Sequence, residues 1–481
     1  MAPIGVKYRL SSYAHFFRHP KDDVDALWHS LSLELLFLDR RTSNSLLTTG
    51  TNPLDRDTLT SLLPSRSSDQ QPSIEELTEA GFLVPELQDE SDFPMQLAEK
   101  MEASRFIGVL YLMLFDGCNF RCTYCFENGR EPRDFRPTMM PPAVAERGLE
   151  LFASLYRKYP PPPGHEPKVQ LYGGEPLLNR DAFIHAVRHF IRMKQSGQMD
   201  ARVSLATVTN GSCMDRETAE FIASNDVSVG VSIDGPQDLN NAYRKSLAGA
   251  DAFSVALKAL RLLRAAGAKV GVSVTLTPAV VENFPRVMSF LREDIGVDKG
   301  LGFNILHYTP GIRLPADYYE KAATCIIDAF REFREMAVWE DRAMRKVMAF
   351  VNQEPLHADC AAIGHQIVIS PEGTIGICQD YIKSREGFEH SIFEGEFDPF
   401  RDRRFLEWSR RSPLHMKQCY DCAALGICGG GCPVSAESVT GSLWDIDTRI
   451  CPHSKKTLEF LIWDTYGHQA VARPEQSISS A

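Results

Sequence analysis

Between residues 105 and 314, short apolar runs of strand character alternate with amphipathic, helix-like stretches. The apolar runs lie at residues 107–115, 168–172, 203–208, 227–233, 269–276 and 300–307. The helix-like stretches lie at residues 143–156, 180–193, 216–224, 252–266 and 281–294. Repeated strand–helix units predict an α/β fold with a parallel sheet covered by helices, and six units predict a partial (β/α)6 TIM-like barrel. Ligands of such sheets bind at the carboxyl ends of the strands.

The region before the barrel, residues 1–104, predicts a small α+β module. Residues 33–39 form an apolar alternating run, and residues 45–49 follow it after a polar turn, which predicts a β-hairpin. A helix is predicted at residues 74–80 and a short strand at residues 82–84.

The region after the barrel, residues 315–466, predicts a helical bridge followed by a cysteine-rich segment. Helix-like sequence covers residues 318–350, and the cysteines with their glycine-rich loops run from Cys360 to Cys451. Residues 467–481 are polar and predict a flexible tail.

Charge and composition exclude several classes of protein. The net charge of −11 at pH 7 disfavours a nucleic-acid partner, which requires a basic surface. The chain lacks the apolar stretch of about 18 or more residues that predicts a membrane span, and its N-terminus lacks the apolar core of a signal peptide. We therefore expect a cytoplasmic protein with no membrane partner. Its 12 cysteines would then be reduced, and the clustered ones would bind metal.

Three cysteines directly follow the first predicted strand of the barrel. Cys118, Cys122 and Cys125 have the spacing C-x3-C-x2-C, so one loop can wrap three corners of a [4Fe–4S] cubane. Thiolates are the soft ligands that such clusters need. Three thiolates leave one of the four irons open to a substrate or cofactor. The alternatives are three buried thiols or a structural zinc site, but zinc needs four ligands.

Further landmarks follow the next three predicted strands. They are Gly173-Gly174-Glu175-Pro176, Thr209-Asn210-Gly211 and Ser232-Ile233-Asp234-Gly235-Pro236. Together with the three cysteines, this order of motifs resembles the radical S-adenosylmethionine (radical SAM) superfamily. The resemblance implies that S-adenosylmethionine binds the open iron and yields a 5′-deoxyadenosyl radical. It also implies a set of cofactor-binding residues: Tyr124, Gly173, Gly174, Glu175, Pro176, Asn210, Ser232 and Arg244.

Within this set, the resemblance gives three parts of the cofactor their partners. The segment from Gly173 to Pro176 is expected to meet the amino group, because exposed carbonyls and a carboxylate suit an ammonium. Arg244 is expected to meet the cofactor carboxylate, and Tyr124 to pack near the adenine.

The cysteines of the third region form a second array. Cys360-x12-Gly373-x4-Cys378 is followed by Cys419-x2-Cys422-x5-Cys428-x3-Cys432 and by Cys451. This spacing resembles the SPASM domain and implies two auxiliary [4Fe–4S] clusters, three clusters in all. One would be ligated by Cys419, Cys422, Cys428 and Cys451, and the other by Cys360, Cys378 and Cys432.

The second set of three thiols leaves one iron to be explained. That iron is open or is ligated by another group, such as His365. A zinc-ribbon-like module is the alternative for the whole array. Asp380, two residues after Cys378, is a candidate base that deprotonates the substrate, or else a solvated surface acid. Cys213 and Cys325 are expected to be small apolar fillers.

The resemblance to radical SAM enzymes with SPASM domains also indicates the class of substrate. The resemblance implies a maturase that oxidatively modifies a ribosomally synthesised peptide or protein, with flavodoxin or ferredoxin as electron donor. We expect an intramolecular thioether cross-link, with the N-terminal module adding a leader peptide to a sheet edge. One alternative is a sulfatase-type, formylglycine-generating radical SAM enzyme. An alternative of another class is a non-catalytic iron–sulfur electron carrier.

Overall fold

The computed structural model describes residues 6–49, 52–63, 72–307 and 312–471. Its N-terminal region contains two three-stranded antiparallel sheets, with strand orders β5-β1-β6 and β2-β3-β4. The strands are β1 (Lys7–Leu10), β2 (Ala14–Arg18), β3 (Val24–His29), β4 (Leu35–Asp39), β5 (Leu54–Asp55) and β6 (Leu83–Pro85). The helices are α1 (Arg40–Thr49), α2 (Arg56–Leu62), α3 (Ile74–Glu79) and α4 (Phe93–Glu102).

The predicted hairpin is wrong in its second strand, because residues 45–49 belong to helix α1. The Asp39 carboxylate accepts hydrogen bonds from the backbone N–H (2.8 Å) and hydroxyl (2.9 Å) of Thr42. This cap begins a helix directly after β4. The hydroxyl of Ser45 then donates to a carbonyl one turn earlier, which a helix tolerates. The predicted helix at 74–80 and strand at 82–84 are confirmed as α3 and β6.

The six predicted barrel strands are confirmed, and each pairs in parallel with the next along the chain. They are β7 (Val109–Phe115), β8 (Lys168–Gly173), β9 (Ser204–Thr209), β10 (Ser228–Ser232), β11 (Val270–Leu276) and β12 (Gly300–Ile305). Their carboxyl ends therefore lie at one edge of the sheet.

The helices of the barrel lie where the sequence pattern predicts them, with one break. They are α5 (Pro142–Lys158), α6 (Arg180–Gln195), α7 (Arg216–Ser224), α8 (Gln237–Tyr243), α9 (Ala252–Ala265), α10 (Pro278–Glu282) and α11 (Phe284–Ser289). The single helix predicted at 281–294 is instead α10, α11 and a π-helical turn, Phe290–Ile295. Pro285 has no N–H for a continuous helix, which explains the break.

The C-terminal region extends the barrel sheet at both edges. Strand β13 pairs in parallel with β12, and β14 pairs in parallel with β7. Two further antiparallel strands follow β14. The strands are β13 (Trp339–Glu340), β14 (Gln366–Ile369), β15 (Thr374–Gly376) and β16 (His390–Ser391). The helices are α12 (Tyr318–Arg334), α13 (Asp341–Asn352), α14 (Arg403–Ser409), α15 (Leu425–Cys428), α16 (Pro433–Thr440) and α17 (Ile450–Val471). The cysteine-rich region is therefore joined to the barrel through backbone pairing.

Helix α17 continues to Val471, so residues 467–471 of the predicted tail are helical. The remainder of that prediction, residues 472–481, lies outside the described residues. Arg334 of α12 donates two hydrogen bonds of 2.8 Å to the Asp464 carboxylate of α17. None of the helices in the described ranges combines the length and apolarity that a membrane crossing requires.

The N-terminal module docks on the cysteine-rich region. The buried indole of Trp28 stacks on Phe350 with a centroid distance of 5.2 Å, and its Nε1–H donates to the carbonyl of Ala423 at 2.9 Å. Glu102, at the end of α4, lies 3.2 Å from Nε2 of His357 and 2.6 Å from Nε2 of His415. These contacts hold the module against the part of the chain that carries the second cysteine array.

Candidate active site and metal centres

The loop after β7 brings three thiols together, and we call Cys118, Cys122 and Cys125 the barrel cluster site. Burial, together with neighbours that include the Cys122 thiol, raises the pKa of Cys118 and Cys125 to about 12. The loop is anchored to the end of α8. The backbone N–H groups of Arg121 and Thr123, both in the loop, donate to the carbonyls of Lys245 (2.7 Å) and Tyr243 (3.0 Å). Three convergent thiols can ligate three of the four irons of a [4Fe–4S] cluster, so the residues fit this cofactor with one iron left open.

The segment after β8 packs directly on this loop through backbone groups. The N–H of Gly174 donates to the carbonyl of Phe115 (2.8 Å), and the N–H of Glu175 donates to that of Gly117 (3.0 Å). A Cβ on Gly174 would lie 2.3 Å from the Gly117 oxygen. Gly173 has φ +140°, which favours glycine. The close approach that the sequence motif requires is therefore present, and Pro176 continues the segment into a buried 3-10 turn.

Glu175 has a different surrounding from the one expected. Its carboxylate is buried and accepts hydrogen bonds from the Thr209 hydroxyl (2.7 Å), the Asn210 N–H (2.7 Å) and the Leu177 N–H (3.2 Å). Burial raises the pKa of Glu175 to about 7 against these hydrogen bonds. The carboxylate predicted to meet the ammonium is thus surrounded by protein donors, and Glu175 ties the end of β8 to the end of β9.

Asn210 lies beside the barrel cluster site. Its Nδ2 is 3.7 Å from Sγ of Cys118 and donates to Oδ1 of Asn119 at 3.1 Å. Ser232 ends β10 and is half-buried. Both residues thus lie at the edge of the sheet where the sequence places the cofactor.

A network of half-buried Tyr124 with buried Asp234 and Arg244 closes the other side of the site. The Tyr124 hydroxyl donates to Asp234 at 2.6 Å, and Arg244 donates through Nε (2.9 Å) and Nη2 (3.0 Å) to the same carboxylate. Burial raises the pKa of Cys122, while the Arg244 charge lowers it. Two guanidinium N–H groups therefore serve Asp234, which uses neither N–H of Nη1 nor the second N–H of Nη2. Asp234 received no role from the sequence, although it stands in the motif after the fourth strand.

Four thiols of the C-terminal region converge on one another, and we call them the outer auxiliary site: Cys419, Cys422, Cys428 and Cys451. Burial and the other three thiols raise the pKa of Cys451 to about 12. Gly429 has φ +67°, and a Cβ there would lie 2.4 Å from the backbone nitrogen of Asp359. Only glycine permits this close approach.

The remaining three clustered thiols form the inner auxiliary site: Cys360, Cys378 and Cys432. Burial, Asp380, Cys360 and Cys432 raise the pKa of Cys378. The N–H of Cys432 donates to Asp447 at 2.9 Å. Ten of the cysteines are therefore gathered into groups of three, four and three. A zinc-ribbon site would use four ligands and would leave the inner thiols unexplained.

Asp380 faces the inner auxiliary site, so the alternative of a solvated surface acid is wrong. Its side chain is 9% exposed, and burial raises its pKa to about 6. Donor atoms of Asp380, His307 and Cys432 lie within 4.8 Å of one another. His365 lies elsewhere, with its ring stacked on Phe106 at 4.0 Å. His307 was missed, although it directly follows the sixth strand and so lies at the ligand-binding edge.

Tyr111, Tyr172 and the buried Glu127 lie between the barrel cluster site and the inner auxiliary site. Tyr111 and Tyr172 form an edge-to-face pair with centroids 5.5 Å apart. Burial raises the pKa of Tyr172, and its charged neighbours include Glu127, Asp380 and Cys125. Proton-bearing side chains therefore neighbour both thiol groups.

The two other cysteines lie outside the three groups. Cys325 is buried in α12 and packs in the main core, as a small apolar filler would. Cys213 is half-buried, follows the Asn210 segment, and packs against the same core.

The sequence model of the radical SAM superfamily matches residues 112–291. The radical SAM cyclopropyl synthase TigE of Paramaledivibacter caminithermalis is 21% identical over 412 residues, 81% of this chain and 82% of TigE. A cysteine-type anaerobic sulfatase-maturating enzyme of Clostridium perfringens is 23% identical over 361 residues, 72% of this chain and 93% of that enzyme. The solved structure of Streptococcus suis SuiB bound to precursor peptide SuiA shares the fold, with a TM-score of 0.52 at 16% identity. The match covers 92% of this chain and 99% of SuiB.

Proposed function

Since its domain at residues 112–291 makes this chain a radical SAM enzyme, we propose that it oxidatively modifies a ribosomally synthesised peptide or protein. The modification is an intramolecular thioether cross-link. Overall the substrate loses two hydrogen atoms, because one carbon–sulfur bond replaces an S–H and a C–H bond. The observation that carries the proposal is the grouping of ten thiols as three, four and three, with the barrel cluster site at the mouth of the barrel.

The chain's own residues hold and orient the cofactors in this proposal. Cys118, Cys122 and Cys125 hold a [4Fe–4S] cluster with one open iron. The carbonyls of the Gly173–Glu175 segment meet the amino group of S-adenosylmethionine, and Nη1 of Arg244 its carboxylate. When bound, the cluster and S-adenosylmethionine supply a 5′-deoxyadenosyl radical for hydrogen-atom abstraction. The hydrogen bonds among Tyr124, Asp234 and Arg244 fix the side of the site that carries Arg244 and shield it from water.

The auxiliary sites give an oxidative reaction a place for the electron that the substrate releases. The outer site has four thiols and therefore closes a cluster completely. The inner site lies next to Asp380 and within the electrostatic reach of Tyr111 and Tyr172. Flavodoxin or ferredoxin is the proposed donor of the electron that starts each turnover.

A peptide substrate is supported by the N-terminal module and by the names of the relatives. The sheet of β2, β3 and β4 has two edge strands, and an extended peptide can pair with an edge strand. Strands β2 and β4 are half-buried, whereas β3 is mostly buried. Hydrogen exchange tests this step. A bound precursor peptide should protect amides of β2 or β4, and protection confined to the barrel would contradict leader binding here.

The alternative chemistry is oxidation of a cysteine to formylglycine in a sulfatase. It is supported by the similarity to the sulfatase-maturating enzyme over 93% of that enzyme's length. The two reactions differ in their product, since formylglycine replaces the thiol by an aldehyde and forms no cross-link. Both reactions consume the thiol, but only formylglycine reacts with a hydrazine, so aldehyde derivatisation followed by mass spectrometry distinguishes them.

The test uses the full chain, reconstituted anaerobically with iron and sulfide, with reductant, S-adenosylmethionine and the peptide encoded beside its gene. We expect 5′-deoxyadenosine and a peptide that has lost two hydrogen atoms. The matched control lacks the barrel cluster site through Cys118→Ala, Cys122→Ala and Cys125→Ala, and it should form neither product. Absence of both products with the reconstituted wild type would contradict the proposal.

A further inference from the structure

The inner auxiliary site has three thiols for the four irons of a cluster, and no further cysteine is available to it. All 12 cysteines lie in the described ranges. Three belong to the barrel cluster site and four to the outer auxiliary site. Of the remaining two, Cys213 follows β9, and Cys325 is buried in α12. A fourth protein ligand, if one exists, is therefore a side chain of another kind.

Asp380 lies beside the inner thiols. It lies in the 3-10 turn directly after Cys378, and its carboxylate oxygen is within 4.8 Å of the Cys432 sulfur. Its charge acts on all three thiols, because it raises the pKa of Cys360, Cys378 and Cys432 alike. One carboxylate is thus the common neighbour of three thiols that come from separate loops.

The Asp380 carboxylate also has few protein partners. Within the described part of the chain it accepts no hydrogen bond, and burial raises its pKa while the charges of Arg449 and Arg130 lower it. Nδ1 of His307 is 3.9 Å away, which is beyond hydrogen-bonding distance. A buried carboxylate without hydrogen bonds is costly, and binding to a metal is one way to satisfy it.

His307 is the competing donor, and the geometry favours Asp380 over it. The histidine donor lies near Cys432 and Asp380, while its ring faces Phe126 at a centroid distance of 5.7 Å. Of the inner thiols, His307 is placed beside Cys432, whereas the Asp380 charge acts on Cys360, Cys378 and Cys432. Asp380 is therefore the more central of the two groups.

We propose that the carboxylate of Asp380 is the fourth ligand of the auxiliary cluster held by Cys360, Cys378 and Cys432. This assignment rests on the proposed function and names the coordination of its inner cluster. A carboxylate is a harder ligand for iron than a thiolate, so its replacement changes the spectrum of the cluster. A ligated carboxylate does not take a proton from the substrate, so the ligand role replaces the role of base predicted from the sequence.

The test uses the full-length chain without its barrel cluster site (Cys118→Ala, Cys122→Ala, Cys125→Ala), so that no open iron remains there. The reconstituted and reduced protein is treated with ¹³C-labelled cyanide and studied by pulsed electron paramagnetic resonance. We expect no ¹³C coupling in this parent, because Asp380 fills the fourth position. Adding Asp380→Ala should produce ¹³C coupling, whereas Asp380→Cys should give none and a shifted spectrum. His307→Ala should behave as the parent.

Three results would overturn the assignment. They are ¹³C coupling already in the parent, a spectrum unchanged by Asp380→Ala, and coupling that appears with His307→Ala alone. Loss of the inner cluster in Asp380→Ala with full iron content in Asp380→Cys supports the assignment, because only a ligating side chain restores it. The measurement needs no turnover. A failure of the proposed function would appear separately, as wild-type protein that does not cleave S-adenosylmethionine.

Discussion

The contact between Gly174 and the loop of the barrel cluster site offers a sharp test of how the barrel positions its cofactor. A Cβ at residue 174 would lie 2.3 Å from the carbonyl oxygen of Gly117 and 3.0 Å from the amide nitrogen of Cys118. Ordinary Cβ contacts begin at 3.4 Å. Because both neighbours are backbone atoms, Gly174→Ala must separate the loop from the end of β8 by about 1 Å, a displacement that costs about 100-fold in rate at a reacting centre.

We therefore expect Gly174→Ala to form 5′-deoxyadenosine about 100-fold more slowly than the wild type at equal iron content. The assay is anaerobic incubation with S-adenosylmethionine and reductant, followed by chromatography. Gly129→Ala is the matched control, because Gly129 lies just after the same loop and a Cβ there meets nothing within 4 Å. A wild-type rate in Gly174→Ala, or an equal loss in Gly129→Ala, would refute the reasoning.

Three further predictions concern stability. Asp234→Ala leaves the buried Arg244 charge unpaired and should lower the free energy of unfolding by about 3–5 kcal/mol, measured by urea denaturation; an unchanged value would contradict the network. Trp28→Ala removes the stacked indole and should cost about 3–5 kcal/mol; the N-terminal module should also become sensitive to limited proteolysis, and unchanged resistance would contradict the docking. Although burial opposes it, hydrogen bonds from two histidines lower the pKa of Glu102 from 4.5 to about 2. The stabilising contribution of Glu102 is therefore present above pH 4.5 and lost as the pH falls toward 2. The Glu102→Gln variant should lose less free energy of unfolding than the wild type over that interval. Equal losses at equal iron content would contradict this.

The barrel was predictable because its signals are local. Strands buried on both faces are continuous apolar runs, and the six runs match β7 to β12 closely. The thiol spacings were equally readable, since Cys118, Cys122 and Cys125 share one loop. Chain order alone then placed the Gly173 segment and Asn210 at the same sheet edge as the thiols.

The missed features depend on contacts between distant parts of the chain. Strands β13 and β14 are short, and only their pairing with β12 and β7 defines them. The pattern at residues 45–49 suits a strand, but the Asp39 cap begins a helix there. Glu175 is turned inward by donors that follow a different strand. His307 and Asp380 are 73 residues apart in sequence, so their proximity follows from the fold.

We propose that Cys118, Cys122 and Cys125 hold a cluster with an iron open to S-adenosylmethionine. Electron paramagnetic resonance of the reduced, reconstituted full chain, before and after adding S-adenosylmethionine, tests it most directly. We expect the spectrum of one cluster to change when S-adenosylmethionine is added. We also expect Cys118→Ala, Cys122→Ala and Cys125→Ala together to remove that signal and keep the auxiliary signals. A spectrum that S-adenosylmethionine leaves unchanged, or a response that persists without the three thiols, would contradict the claim.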